Sequence, residues 1–285
     1  MNPPELTLIQ FSDTHICPDG ELLHGSVDTF GALERAIDRV LAAGIRVHGL
    51  LLTGDLADDG KPEAYRRLAA LLRPAAERLG ASVVYAMGNH DERTAFAAEL
   101  LDTPLDTPPS GPLDSVHLIG GVRVIALDST IPGRPDGRLV PEQLAWLRAE
   151  LARPAPRGTI LVLHHPPLPS PVAPVHLLRL RDAEELAAAL AASDVRLVLT
   201  GHAHHTGCGA LAGIPVWVSP ALAYRLDPLP PPGRMRGVGG AGFSRIDLID
   251  GTFVATAVAV GAADPVYDLD AEDTARQILE LTKDG

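Results

Sequence analysis

The sequence predicts an α/β fold with mixed sheet content. Short apolar runs recur along the chain, amphipathic helical patterns fall between them, and three pairs of apolar runs meet at glycine-containing turns. The runs at 6–11, 47–52, 83–87, 160–163 and 195–199 are strand-length and nearly continuous, as buried strands are.

In chain order, the strand at 6–11 is followed by a helix over 28–43, with Phe30, Leu33, Ile37 and Val40 on one face and Gly44 at its C-terminal stop. After the strand at 47–52, Pro62 suits a first helical position and opens a helix over 63–79, which Pro74 should kink or divide. Beyond the strand at 83–87, paired runs within 116–128 flank Gly120 and Gly121 and predict a hairpin. Pro141 starts a helix reaching about Leu151, ahead of the strand at 160–163. Asp182 and Glu185 have capping-box spacing before Leu186 and Leu190 and mark a fourth helix, and the strand at 195–199 follows. A second hairpin spans 209–219, and a third pairs 242–248 with 252–260 across Asp250 and Gly251. Between them, 226–242 is too rich in Pro and Gly for regular structure and predicts a mobile loop. The acidic tail at 264–284 reads as a capping helix with a solvated face.

No composition break or internal repeat divides the 285 residues, so one domain is expected: a core over about 6–219, the loop at 226–242, and a C-terminal hairpin and helix over 243–285. Hydrophobic residues at 46% and charged residues at 21% are those of a globular enzyme, not of a disordered or fibrous chain. No run approaches the roughly 20 apolar residues of a membrane helix, so no transmembrane segment is expected. Residues 1–10 lack the basic start and small-residue cleavage site of a signal peptide, and the expected location is cytoplasmic. Cys17 and Cys208 form no CxxC pair, which fits a reducing compartment. A net charge of −12 argues against duplex nucleic acid and for a small-molecule substrate. A homodimer is left open.

Each of the five runs leads directly into metal-competent side chains. These are Asp13 and His15; Gly54 and Asp55; Gly88, Asn89, His90 and Asp91; His164 and His165 before Pro166; and Gly201, His202, His204 and His205. Ligands of open α/β sheets bind beyond the carboxyl ends of the strands, so these clusters should converge on one crevice. Carboxylate and imidazole with one amide oxygen and no thiolate suit Mn, Fe or Zn. The set exceeds the needs of one ion. Two ions about 3.5–4 Å apart, sharing a carboxylate, would use it and clamp both oxygens of an in-line phosphoryl displacement, with Asp55 the natural bridge. The adjoining glycines allow close backbone approach.

The ordered set DxH, GD, GNH[DE], HxP and GHxH resembles the signature of the calcineurin-like metallophosphoesterases over roughly residues 6–219. The resemblance implies a four-layer αββα sandwich of two mixed β-sheets flanked by helices. It implies a first metal held by Asp13, His15, Asp55 and His204, and a second held by Asp55, Asn89, His164 and His202. The segments SDTH, TGDLAD, MGNHDER and LHHPPLPS are most similar to bacterial class III cyclic nucleotide phosphodiesterases, particularly the mycobacterial branch. That similarity implies hydrolysis of 3',5'- or 2',3'-cyclic nucleotides by a metal-bridging hydroxide, with His90 as catalytic residue near the leaving oxygen. No motif after Tyr224 carries over.

Alternation along an extended segment sends His164 and His165 to opposite sides, and the family pattern selects His164. It also puts His202 and His204 on one side and leaves His205 as a rim or plain surface residue. Asn89 and His90 are candidates for substrate contact. Arg93 is either a phosphate-binding fork or a surface arginine, and Asp91 either aligns a histidine or starts a helix. Asp58, Asp59 and Asp128 read as turn or strand-end residues. His24, His48, His117 and His176 read as structural or solvated, with His176 nearest to a substrate. Two rival functions stay open: a broader phosphodiesterase acting on glycerophosphodiesters, phospholipid headgroups or other organic diesters, and a non-catalytic binding protein on the same fold.

Overall fold

Along the strand Leu6–Phe11, Leu6 and Leu8 pack into one apolar cluster and Ile9 and Phe11 into another, and all four are buried. A strand buried on both faces needs a layer on each side. The computed structural model, which describes residues 3–103, 109–261 and 264–282, supplies both layers. Its elements are β1 (Leu6–Phe11), α1 (Thr29–Ala42), β2 (Gly49–Thr53), α2 (Pro62–Leu79), β3 (Ser82–Ala86), α3 (Arg93–Leu100), β4 (Ser115–Ile119) and β5 (Val122–Leu127). There follow α4 (Pro141–Leu151), β6 (Thr159–Leu163), α5 (Ala173–His176), α6 (Ala183–Leu190), β7 (Val195–Thr200), β8 (Gly207–Leu211) and β9 (Ile214–Val218). The last are β10 (Arg225–Leu226), β11 (Gly237–Val238), β12 (Gly242–Ile249), β13 (Thr252–Ala259) and α7 (Ala271–Leu281).

One sheet has the order β13-β12-β1-β2-β3, with β1, β2 and β3 parallel and β12 antiparallel to β1. The other has the order β4-β5-β6-β7-β9-β8, parallel from β5 to β9 with antiparallel edges. Their inner faces meet through Leu8, Leu51 and Val84 on one side and Val124, Val162 and Leu199 on the other. α1, α2 and α3 cover the outer face of the first sheet through Leu33, Leu68, Leu72 and Phe96, and α4 and α6 cover the second through Leu144, Leu147, Leu186 and Leu190. The layers run helix, sheet, sheet, helix, and all three expected hairpins form.

Four local expectations change. α2 is not divided at Pro74: the helix is continuous, and Pro74 and Ala70, whose carbonyl loses its helical donor, both lie on its exposed face, open to solvent. Asp182 makes no side-chain cap on α6; its carboxylate lies 2.9 Å from Arg138 Nε instead. The 226–242 segment holds a short antiparallel ladder, β10 against β11, closed by an Arg236–Asp227 ion pair. The tail does not cap the domain: α7 buries none of its residues, and positions 283 and 284 of that expectation lie outside the described residues. Cys17 is buried and Cys208 exposed, and both are free thiols. Among the described residues no helix is long and apolar enough to cross a membrane.

Candidate metal centre

The parallel strands β1, β2 and β3 of one sheet and β6 and β7 of the other deliver their carboxyl ends to one place. Asp13 and His15 follow β1, Asp55 follows β2, Asn89 follows β3, His164 directly follows β6, and His202 and His204 follow β7. The backbone is left-handed at Asp13 (φ 52°), His15 (φ 41°), Asp55 (φ 51°), His202 (φ 66°) and His204 (φ 51°). Each such non-glycine conformation costs roughly 1–3 kcal/mol and persists only where its surroundings fix it. Here the loops brace one another: Asp13 N donates to Gly54 O (3.0 Å), His15 N to Asp55 O (2.9 Å) and Leu226 N to His204 O (2.7 Å). Gly88 is required by close approach, since a Cβ there would lie 2.2 Å from the backbone nitrogen and Oδ1 of Asp55. Gly54, at φ 93°, likewise faces the His164 ring, 2.3 Å from where its Cβ would be.

Two groups of donors meet at Asp55. In the first, His15 Nε2 is 3.2 Å from His204 Nε2 and 3.7 Å from Asp55 Oδ2, while His204 Nε2 is 3.4 Å from Asp13 Oδ1. In the second, His164 Nε2 is 3.2 Å from both Asp55 Oδ2 and His202 Nδ1. Two imidazole nitrogens each about 2.0–2.1 Å from one tetrahedral ion stand about 3.4 Å apart, close to these spacings. Asn89 Oδ1 is buried and has no hydrogen-bond partner among the described residues, as an oxygen awaiting a cation would be. The donors therefore fit metal ions. Backing groups orient the rings: His15 Nδ1 bonds to Asp58 Oδ1 (3.0 Å), His164 Nδ1 to Thr53 O (2.8 Å) and His204 Nδ1 to Tyr224 O (3.1 Å).

Electrostatics agree with this. Burial alone would raise the Asp55 carboxyl, but the charge and hydrogen bond of His164, then the charge of His15, hold it well below the usual carboxylate range. Burial opposes a proton on His164, yet Asp55 overrides it and pushes the imidazole up to about 9. Burial followed by the charge of His164 pulls His202 down to about 3, and burial with the charge of His15 does the same to His204. The shifts favour a proton on His164 beside the shared carboxylate and disfavour one on His202 and His204, the state in which an imidazole can coordinate.

The cluster floors a crevice of about 180 Å³ that His90, Asn89, His24, Tyr224, Leu226 and Met235 also line. His90 donates its backbone N–H to Asp55 Oδ1 (2.9 Å), and its Nδ1 lies 2.7 Å from Asp58 O. Arg93 is not brought to the crevice: its guanidinium bonds to Asp128 (2.7 Å) and Thr130 (3.1 Å) and lines another cavity. Asp91 aligns no histidine; its carboxylate accepts from the backbone of Leu56, Ala57 and Gly88 and from the Tyr65 hydroxyl. His164 and His165 do not diverge as on an extended strand. The chain bends after β6, their ring centroids are 5.0 Å apart, and His165 Nδ1 bonds to Ser129 Oγ at 2.8 Å. His165 Nε2 has no hydrogen-bond partner among the described residues and stays within reach of His164 and His202. His205 is buried, with Nε2 2.9 Å from Ser170 Oγ, and not a surface residue. His176 accepts from Ser170 N (3.4 Å) and does not line the crevice. Sequence reasoning missed Asp58, Tyr224 and His24. Tyr224 packs at a tilt against His204, ring centroids 4.3 Å apart, and meets His24 edge-on at 5.5 Å.

Residues 6–206 match the profile of the calcineurin-like phosphoesterases. A probable cyclic nucleotide phosphodiesterase of Rhodococcus erythropolis is 42% identical over 99% of this chain and 95% of its own length. A cAMP/cGMP dual specificity phosphodiesterase of Mycobacterium tuberculosis is 40% identical over 92% of this chain and 82% of its own. Among solved structures, a dimetal phosphatase from Danio rerio shares the fold, with a TM-score of 0.61 at 15% identity over 91% of this chain and 98% of that one. The profile match takes in every donor of the cluster, and on that ground the chain belongs to the calcineurin-like phosphoesterase family.

Proposed function

We propose that the protein is a metal-dependent phosphodiesterase that hydrolyses cyclic nucleotides. The observation that carries the reading is the sharing of Asp55 by two donor groups, with the unpartnered Asn89 Oδ1 beside them. In this reading Asp13, His15, Asp55 and His204 hold one ion, and Asp55, Asn89, His164 and His202 hold the other; Mn or Fe fits these donors best, and Zn is the alternative. Two such ions supply an activated water and neutralise charge on the phosphoryl group. The chain's own residues do the rest. Asp58, Thr53 and Tyr224 hold the histidine rings in place. His90, at the crevice wall, gives a proton or hydrogen bond to the departing ribose oxygen. A crevice of about 180 Å³ takes the phosphate and sugar, leaving the base towards the exposed Met235.

The choice of cyclic nucleotides is supported by the names of relatives that cover more than nine-tenths of the chain. Two free cysteines fit a reducing, cytoplasmic compartment. The test is a comparison of kcat/KM for the manganese-loaded protein on 3',5'- and 2',3'-cyclic nucleotides, linear diesters and monoesters. The reading expects a cyclic nucleotide to rank first and a chelator to abolish turnover. A linear diester ranking first would favour a broad phosphodiesterase, and a monoester ranking first would remove diesterase activity as the function.

A further inference from the structure

Between the start of α3, the loop at 129–140 and α4 lies a cleft of about 510 Å³ that shares no lining residue with the metal crevice. That volume is within the range of small-molecule sites. Four arginines line it, Arg93, Arg134, Arg138 and Arg181, in a protein whose net charge is −12. Arg134 is anchored by a hydrogen bond from Nε to Asp136 Oδ1 (2.8 Å), while Arg138 and Arg181 form ion pairs with Asp182 and Asp136. The Nη groups of all three make no hydrogen bond among the described residues, so each fork keeps its terminal donors. Asp136, its side chain only 4% exposed, answers two arginines with one charge. Arg134, Arg138 and Arg181 together thus face two carboxylates, Asp136 and Asp182, while Asp128 and Asp114 lie beside Arg93. Arg93 Nε is buried without a hydrogen-bond partner among the described residues. Pro112, Ile131, Pro132 and Val140 form an apolar wall beside these forks.

Guanidinium forks match the oxygens of a phosphate, and an apolar wall suits a flat ring. We infer that this cleft is a second binding site for a mononucleotide, with its phosphate on Arg134, Arg138 and Arg181 and its ring on the wall of Pro112, Ile131 and Val140. The site is independent of which ester the metal centre cleaves.

Calorimetric titration of adenosine 5'-monophosphate, adenosine and inorganic phosphate tests it, using the metal-loaded protein and its Arg134→Gln, Arg138→Gln and Asp55→Asn variants. The Arg134 and Arg138 side chains are 47% and 53% exposed, so the fold should survive, and unchanged metal content and turnover of a nitrophenyl diester verify that it has. The expected result is nucleotide binding that Asp55→Asn retains and that either arginine variant weakens roughly tenfold or more. Adenosine and phosphate alone should each bind at least about tenfold more weakly than the nucleotide. Binding that is unchanged in both arginine variants, or lost with Asp55→Asn, overturns the inference. Phosphate binding as tightly as the nucleotide does so as well.

Discussion

Asp58 Oδ1 lies 3.0 Å from His15 Nδ1, and this bond sets the direction of the imidazole, turning Nε2 towards His204 and Asp55. The hydrogen bond from His15, assisted by the His15 charge, holds the Asp58 carboxyl below its ordinary range despite partial burial. Removing such a backing carboxylate typically costs about 10- to 100-fold in metal affinity. Asp58→Ala should therefore weaken the site containing His15 by that factor and leave the His164 site filled, as read by metal titration. Wild-type affinity at both sites would show that the contact does no positioning.

Asp55 touches both donor groups and His15 only one. Asp55→Asn should lower occupancy of both ions, and His15→Ala chiefly that of one, by elemental analysis after dialysis. Two retained metals and normal turnover in Asp55→Asn would rule out a shared carboxylate.

A methyl group at position 88 would press on the Asp55 backbone at 2.2 Å, a clash with main chain that no rotamer relieves. Gly88→Ala should retain the fold by circular dichroism but lose metal affinity and at least about tenfold in kcat/KM. Wild-type kinetics would mean that the loop carrying Gly88 shifts freely.

His90→Ala should keep both metals, because its ring nitrogen is turned to the Asp58 carbonyl. It should lose roughly 10²- to 10⁴-fold in kcat on a cyclic nucleotide, whose alkoxide needs a proton, and far less on a nitrophenyl diester, whose phenolate does not. Equal losses on the two substrates would assign His90 to the phosphoryl oxygens instead.

Metal uptake should depend on pH in one direction. In the metal-free protein the His164 proton, opposed by burial and held by Asp55 up to about 9, must leave before that nitrogen coordinates. Affinity should rise about tenfold per pH unit below that value and level off above it. Chelator-buffered titrations giving a flat profile between neutrality and pH 9 would contradict a protonated His164.

The strands and the cluster were legible because both signals are local: apolar runs of strand length stop at Asp13, Asp55, Asn89, His164 and His202, and parallel strands carry those stops to one edge. What escaped depends on partners distant in sequence. Asp58 reads as a turn acid until the fold sets it beside His15, and Tyr224 has no motif until its carbonyl meets His204. Arg93 looks free on a helix start until Asp128, 35 positions on, claims it. The spacing of Asp182 and Glu185 promised a cap, but Arg138 competes for the same carboxylate. The divergence expected of His164 and His165 assumed an extended backbone, which ends at Leu163, before either histidine.

The donors of the candidate centre come from both sheets, so ions held there would act as rivets between the sheets as well as reagents. Sliding one sheet against the other would pull His164 and His202 away from Asp55. Metal concentration should therefore set the melting temperature by mass action. The converse also follows: trimming Leu51, fully buried between the sheets, would be felt at the coordination shell although no ligand had changed.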